Sequence, residues 1–279
     1  MAASPRTLIT VAPTGAELDK ARVPQLPTTL EELVETARSC EKAGAAVVHL
    51  HIRDAQHRPT LDGDRLKAAV DAVREQTSLV VQLSTGGSVH DPLEQRLTVL
   101  DAEPDSCSLT CGTVNFGDDV FLNPWGFMSE LYVQAQDREV VPEFEVFDLG
   151  QLASLARLLD AHGLPFGGKV HVDFVTGVPG GMPGTTAALV AGLAALPPEV
   201  TSWSATGIGR SHLPVLAAAL SAGGHVRVGM EDNLVYARGR QVQHNRELVE
   251  RAVELATLVQ RPPMSTDEAR ELLGVRDRR

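Results

Sequence analysis

Cysteine is scarce in this chain of 279 residues, which contains only Cys40, Cys107 and Cys111. None of them lies in a C-x-x-C arrangement, and three cysteines cannot all pair. This pattern excludes a disulfide framework, so we expect reduced thiols inside a cytoplasmic protein. Cys107 and Cys111 share strand parity, but a metal role for them is the less favoured interpretation.

Long apolar runs and an excess of basic residues are also missing. No segment reaches the roughly 18–20 apolar residues that a membrane-spanning helix requires, and we expect no signal peptide because residues 1–13 contain no long apolar core. The chain has 25 basic and 36 acidic residues, a formal net charge of −11. This charge argues against nucleic acid as a partner. The 43% hydrophobic content is ordinary for a globular protein with a large core.

Short apolar runs alternate with amphipathic stretches along the whole chain. The apolar runs predict eight strands, over 8–13, 45–52, 78–87, 105–112, 139–147, 167–175, 199–206 and 225–232. The amphipathic stretches predict helices over 28–44, 63–76, 91–101, 127–137, 148–163, 185–196, 211–224, 245–260 and 266–273. A long loop is predicted over 113–126.

Strict alternation of strands and helices implies parallel strands with right-handed crossovers. Eight such units in roughly 250 residues match the α/β fold of a TIM (β/α)8 barrel. The rival is a doubly wound open sheet, which would carry a phosphate loop such as G-x-G-x-x-G after its first strand. This chain has P-T-G-A-E there, at 13–17. We therefore predict one TIM-barrel domain over 1–279, with a C-terminal helical extension over about 245–279.

The stretch VVHLHIRD, at 47–54, places two histidines inside an apolar strand. Residues i and i+2 of a strand point to the same face, so His49 and His51 share one. The plainer interpretation is two separately hydrogen-bonded histidines, because a metal site needs at least a third ligand. A strand-end carboxylate would supply it, best Glu231, with Glu143 and Glu145 also open. Such a set is typical of catalytic Zn²⁺, although Fe(II) uses similar ligands.

Polar side chains collect at the predicted C-terminal ends of the strands, where a TIM barrel builds its active site. They are Thr14, Glu17, Ser84, Thr85, Ser108, Thr110, Glu143, Glu145, His171, Asp173, Arg227, Glu231 and Asp232. The alternative for the carboxylates is a ring of salt bridges with Arg53, Arg210 and Arg227.

The segment Gly207-Ile208-Gly209-Arg210 opens the helix after the seventh strand. Backbone N–H groups at a helix start favour anions, and TIM barrels often bind phosphate after strands seven and eight. We therefore predict that Gly207, Gly209 and Arg210 bind an anionic ligand.

Eight motifs in order resemble the β-keto acid cleavage enzyme family, typified by 3-keto-5-aminohexanoate cleavage enzyme. They are TVAPTGAE, HLHIRD, QLSTGG, GTVNFGDD, VPEFEVFDLG, GVPGGMPG, GIGRSHLP and VGMEDNL. The resemblance implies a TIM barrel with one divalent metal, usually zinc. It also implies the use of acetyl-CoA to cleave a β-keto acid into acetoacetate and the CoA thioester of the remaining fragment. A homotetramer is the expected assembly.

The resemblance also assigns roles to individual residues. The metal ligands are His49, His51 and Glu231, and the catalytic residues are Arg227, Ser84 and Asp232. The substrate-binding residues are Glu17, Thr85, Gly86, Gly87, Ser108, Thr110 and Glu145, and Gly207, Gly209 and Arg210 are assigned to the CoA end. Ser108 stands where the family prototype has a threonine, and Thr110 where it has an asparagine. Arginine is an unusual base because its pKa exceeds 12, so Asp232 acting through Arg227 stays open.

Three other functions are compatible with part of this set of motifs. A zinc hydrolase of the amidohydrolase type also uses H-x-H, but places it on strand one and adds histidines from strands five and six, and strand five here, VPEFEVF, has none. A CoA-independent, aldolase-like lyase is the second alternative. A non-catalytic metal- or CoA-binding regulator is the third, and Ser84, Arg227 and Asp232 beside the ligands argue against it.

The two acids Glu17 and Glu145 bear on the substrate. Their charge suits a substrate with an ammonium group, such as 3-keto-5-aminohexanoate. If both acids instead pair with Arg53 or Arg210, the site would suit neutral or anionic short β-keto acids.

Overall fold

Eight parallel strands close into a barrel in a computed structural model of the protein, which describes residues 5–278. All strands, in chain order, are β1 (Ile9–Val11), β2 (Val47–Leu50), β3 (Val80–Leu83), β4 (Ser106–Thr110), β5 (Val114–Phe116), β6 (Asp119–Phe121), β7 (Val141–Val146), β8 (His171–Thr176), β9 (Ser202–Gly207), β10 (His225–Val228), β11 (Val235–Ala237) and β12 (Arg240–Gln241). The barrel order is β1-β10-β9-β8-β7-β4-β3-β2, closed by parallel pairing of β1 with β2. The predicted TIM barrel is confirmed.

Helices alternate with the barrel strands. They are α1 (Leu30–Ala43), α2 (Gly63–Gln76), α3 (Leu93–Leu97), α4 (Trp125–Asp137), α5 (Leu149–His162), α6 (Thr186–Ala194), α7 (His212–Ser221), α8 (Asn245–Leu258) and α9 (Thr266–Leu273). The predicted helix over 91–101 is shorter than expected, because α3 continues as a 3-10 helix over Thr98–Ala102. The start of α1 is fixed by a capping box, in which the Thr29 side chain accepts from the Glu32 N–H and the Glu32 side chain accepts from the Thr29 N–H.

The predicted loop over 113–126 contains a β-hairpin, formed by β5 and β6. Gly117 occupies its turn with a φ of 65°, a conformation that glycine adopts readily. Val114 and Phe121 pack with Phe147, Val175 and Val178 around the C-terminal ends of β7 and β8. The hairpin therefore stands over the end of the barrel where an active site is expected.

The last part of the chain closes the opposite end of the barrel. After α8, which packs against α1 and α7, the segment around α9 places Met264 and Leu273 against Leu8, Val47 and Val80. These contacts cover the apolar starts of the strands. Over residues 5–278, none of the helices combines the length and the apolar character that crossing a membrane would require.

Candidate metal and substrate site

His49, His51 and Glu231 converge at the C-terminal end of the barrel. One ligand atom from each lies within 4.8 Å of the others. The Nε2 atoms of His49 and His51 are 3.8 Å and 3.6 Å from Glu231 Oε1. Glu143, one of the alternatives, lies instead beside His171, 3.7 Å from its Nε2. The structure thus brings the two histidines together with Glu231.

Two close backbone approaches position Glu231. The Glu231 N–H donates to the Ala12 carbonyl at 3.2 Å, which ties the loop after β10 to the end of β1. A Cβ on Gly229 would lie 1.8 Å from the Ala12 oxygen, and one on Gly15 would lie 2.7 Å from Glu231 Cγ. Side chains at these two glycines would therefore push the carboxylate away from the histidines.

The three side chains are suited to a divalent metal. Burial, reinforced by the nearby Arg227 charge, lowers the pKa of His49 to about 3 and keeps its imidazole in the neutral form that binds metals. Glu231 Oε2 is buried and has no hydrogen-bond partner within the described chain. Two imidazoles, one carboxylate and an adjoining cavity fit a catalytic Zn²⁺ or a similar cation.

Arg227 joins three carboxylates at the centre of the site and is 4% exposed. Its Nη2 donates to Glu231 Oε1 at 2.5 Å and to Asp232 Oδ1 at 3.0 Å, and its Nε donates to Asp232 Oδ2 at 3.1 Å. Its Nη1 donates to Glu145 Oε1 at 3.0 Å. Burial disfavours the charge on Arg227, but these carboxylates outweigh it and hold the pKa well above the ordinary value. Arg227 is therefore a permanent cation here.

In the predicted alternative of a salt-bridge ring, Arg227 does pair with carboxylates, whereas Arg53 makes its hydrogen bonds to the backbone and feels the charges of Glu17 and Glu231 without a direct ion pair. The buried Arg53 donates to two backbone carbonyls, those of Gly15 and His57, at 2.5 Å and 3.2 Å. Arg53 thereby braces the loop after β1 against the loop after β2. Glu145 pairs with Arg227, so Glu145 does not carry an uncompensated charge.

The acids near Arg227 differ in pKa, because Arg227 and the two histidines hold the pKa of Glu231 well below its ordinary value while burial raises that of its neighbours. Burial raises the pKa of Asp232 to about 7, although Arg227 opposes the shift. The deeper Glu143 has its pKa raised to about 8 by burial and by the nearby Asp173. The barrel interior thus contains several carboxyl groups whose pKa values are shifted from their ordinary range. Such shifts are typical of functional sites.

A cavity of about 380 Å³ adjoins Arg227 and the candidate metal ligands His49, His51 and Glu231. Of the predicted site residues, it is lined by His49, His51, Glu231, Arg227, Asp232, Ser84, Gly86, Gly87, Glu17 and Glu145. Its remaining wall is largely apolar, and includes Phe116, Phe121, Phe147, Val175, Val178 and Ile208. Sequence reasoning missed this wall. The alternation of apolar residues around the Gly-Asp turn at 117–118 was the signal that a hairpin, and not a loop, follows β4.

Three predicted substrate-binding residues are turned toward protein groups and do not line the cavity. Thr85 Oγ1 donates to the Ser108 carbonyl at 2.6 Å, and the Thr85 N–H donates to Ser108 Oγ at 3.3 Å. Thr110 Oγ1 donates to Glu145 Oε2 at 2.9 Å. Their contribution is to hold the glycine turn after β3 and the Glu145 carboxylate in place.

The predicted anion-binding turn also lies outside the cavity lining, except for Ile208. The Gly209 N–H donates to the Asp232 carbonyl at 2.8 Å, and the Ile208 N–H donates to the Thr176 carbonyl at 2.9 Å. A Cβ on Gly207 would lie 2.6 Å from the Ser211 carbonyl oxygen. These groups fix the turn, and the exposed guanidinium of Arg210 is what the turn offers to an anion.

Comparison with known proteins gives a consistent picture. The chain is 39% identical to the 3-keto-5-aminohexanoate cleavage enzyme of Acetoanaerobium sticklandii, over 97% of this chain and 98% of that protein. It is 33% identical to the 3-oxoadipate:acetyl-CoA acetyltransferase of Cupriavidus necator, over 96% and 94%. Among solved structures, the apo structure of ObcA superposes with a TM-score of 0.77 at 22% identity, over 90% of this chain and 66% of that one. That likeness establishes the fold alone.

Residues 6–275 match the family model described as beta-keto acid cleavage enzyme. The match spans nearly the whole described chain and includes every motif named above. The chain belongs to the β-keto acid cleavage enzyme family.

Proposed function

We propose that this protein uses acetyl-CoA to cleave a short β-keto acid, giving acetoacetate and the CoA thioester of the remaining fragment. The observation that carries the proposal is that His49, His51 and Glu231 share one cavity with Arg227 and Asp232. The names of the relatives support it, since the Cupriavidus protein is described as an acetyl-CoA acetyltransferase acting on 3-oxoadipate.

The metal in this proposal is zinc, held by His49, His51 and Glu231. When bound, a divalent cation would polarise the keto oxygen of the substrate and stabilise the negative charge that develops as the α-carbon loses a proton. Burial keeps His49 neutral, so this imidazole is ready to bind the cation without first losing a proton.

Arg227 acts as a fixed cation in this mechanism. Three carboxylates keep it protonated and orient it, so it can stabilise developing negative charge without reorganising. In the Arg227–Asp232 pair, Asp232 is the member with acceptor atoms, and we assign the α-proton to this pair through Asp232. Ser84 Oγ accepts from the Gly86 N–H at 3.2 Å, so its own O–H is free to donate to the substrate carboxylate.

Acetyl-CoA has to approach a protein whose formal net charge is −11. Long-range electrostatics oppose the approach of its phosphates, so a local cation is needed. We propose Arg210 for that role, with Gly207 and Gly209 shaping its turn. From the family resemblance, we also propose that the protein is a homotetramer in the cytoplasm. Sedimentation equilibrium tests the oligomeric state.

The reaction is tested by incubating the zinc-loaded protein with a panel of β-keto acids. Mass spectrometry is used to follow acetoacetate and the new CoA thioester, with acetyl-CoA present and absent. We expect both products only when acetyl-CoA and the metal are present. Cleavage without acetyl-CoA would instead identify an aldolase-like lyase, and hydrolysis of acetyl-CoA alone would identify a hydrolase.

A further inference from the structure

We infer that the apolar wall of the cavity binds an uncharged aliphatic tail of the β-keto acid. The wall consists of Phe116, Phe121, Phe147, Val175, Val178 and Ile208. This inference rests on the proposed function and narrows it, because it selects tails without an ammonium group.

The charges inside the cavity are already balanced without a substrate ammonium group. Glu145 is held by Arg227 and also accepts from Thr110. Asp232 receives two hydrogen bonds from Arg227, and Glu231 faces Arg227 and the two histidines. Arg227 together with a divalent cation would match these three carboxylates in formal charge. No carboxylate in this group is left for an ammonium ion.

Glu17 is the remaining carboxylate of the cavity lining, and it is exposed to solvent. Ion pairs at exposed positions contribute little, because water and salt screen them. Glu17 alone therefore gives only weak selection for an amino substrate.

The apolar wall is continuous and well supported. The Phe116 ring contacts the rings of Phe121 and Phe147, with centroid distances of 6.0 Å and 6.1 Å. Phe121 also lies beside the glycine turn after β3, where a Cβ on Gly86 would be 3.1 Å from its ring. The wall thus begins next to Ser84, where we place the substrate carboxylate, and runs to Ile208 after β9.

An ammonium group against this wall would lose its hydration and meet no oxygen acceptor there, and the faces of the phenylalanine rings replace only part of what it loses. Each methylene group placed there gains free energy instead, which corresponds to about a three- to fourfold increase in affinity. A tail can lengthen in this way until the cavity of about 380 Å³ is filled.

The test measures binding of single β-keto acids to the zinc-loaded protein by titration calorimetry, without acetyl-CoA. We compare 3-oxopentanoate, 3-oxohexanoate and 3-oxoheptanoate with 3-oxo-5-aminohexanoate. Affinity is expected to rise about threefold or more per methylene group. 3-Oxo-5-aminohexanoate is expected to bind more weakly than 3-oxohexanoate. Tighter binding of the amino substrate, or affinity independent of tail length, would overturn the inference.

Variants of the wall show which residues select the tail. Phe116→Ala should flatten the dependence on tail length, and Phe116→Asp should favour the amino substrate. Leu122→Ala is the matched control, since Leu122 is 51% exposed at the end of the same hairpin and does not line the cavity. Ile208→Ser serves as a second variant on another element in case the hairpin is disturbed.

Kinetics separate this inference from the proposed function. If Phe116→Ala and Ile208→Ser raise KM for acetyl-CoA equally with every acid and leave tail selectivity unchanged, the wall binds the arm of CoA and the inference is wrong. If no acid yields acetoacetate but the calorimetric order holds, the proposed reaction fails while the tail site stands.

Discussion

His49 and Gln82 lie side by side in the barrel interior, with His49 Nδ1 2.6 Å from Gln82 Oε1. An amide oxygen accepts hydrogen bonds only, so Nδ1 carries the proton and Nε2 is left to face Glu231. The Gln82 amide nitrogen in turn donates to Ser106 Oγ at 3.2 Å, which fixes the orientation of the amide. Gln82 therefore orients His49, the proposed metal ligand, before any metal binds.

Replacing Gln82 should weaken the metal site without removing a ligand. We expect Gln82→Leu to lower zinc affinity by about 10- to 100-fold, the usual effect of losing a partner that orients a ligand. Gln82→Glu should retain zinc, because its carboxylate can accept the same hydrogen bond. Competition titrations with a zinc-binding dye measure both. Ser202→Ala is the control, since Ser202 bonds to His171 elsewhere in the barrel; equal losses in Ser202→Ala and Gln82→Leu would point to a general defect in the barrel.

The ligands themselves should control metal and activity together. We expect His49→Ala or His51→Ala to lose both bound zinc and acetoacetate formation, because two protein ligands do not make a catalytic zinc site. Elemental analysis of the purified variants measures the metal. Removal of zinc from the natural protein with a chelator, followed by its return, should abolish and restore activity. One equivalent of zinc retained by both variants would refute the ligand assignment.

Arg227 should matter for turnover more than for metal content. Arg227→Ala removes the cation from beside three buried carboxylates, and we expect turnover to be lost while zinc remains bound. Breaking a buried ion pair from one side costs about 3–5 kcal/mol, so a lower thermal midpoint is expected as well. Arg227→Lys should recover much of the stability, but less of the activity, since it cannot reproduce the contacts that Nε, Nη1 and Nη2 make. Near-normal kcat in Arg227→Ala would make Arg227 a purely structural partner.

The sequence predicts the barrel and the shared face of His49 and His51 for clear physical reasons. Strict alternation of elements constrains the topology, and strand parity places His49 and His51 on one face. Strand parity shows which face a side chain points to, but not how deep it lies along the barrel axis. That depth depends on the register between neighbouring strands. His171 and Asp173 were therefore grouped with the strand-end residues. In the structure both are buried beside β9, where Asp173 accepts from Ser204 and Thr206 and does not line the cavity.

Hydrogen-bond partners that are distant in the sequence are also hard to predict from the sequence. Pairing of Arg53 with the carboxylates is one alternative that the sequence leaves open, yet its guanidinium donates its hydrogen bonds to the carbonyls of Gly15 and His57. Backbone carbonyls are present at every residue and leave no pattern in a sequence. The apolar wall was missed for a different reason, since its members come from the hairpin and from the ends of β7, β8 and β9, and only the closed barrel brings them together.

The CoA end of the site yields the last prediction. The N–H groups of Ile208 and Gly209 are already bonded within the protein, so the turn after β9 would attract a phosphate through Arg210 alone. Because Arg210 is exposed, its effect is screened, and we expect Arg210→Ala to raise KM for acetyl-CoA by about two- to fivefold. KM for the β-keto acid and zinc content should stay the same. The effect should shrink as salt is added, since salt screens exposed charges. Arg138→Ala is the control, because Arg138 precedes β7 and lies at the opposite end of the barrel. An unchanged KM for acetyl-CoA, or a rise confined to the keto acid, would assign the phosphates to another surface.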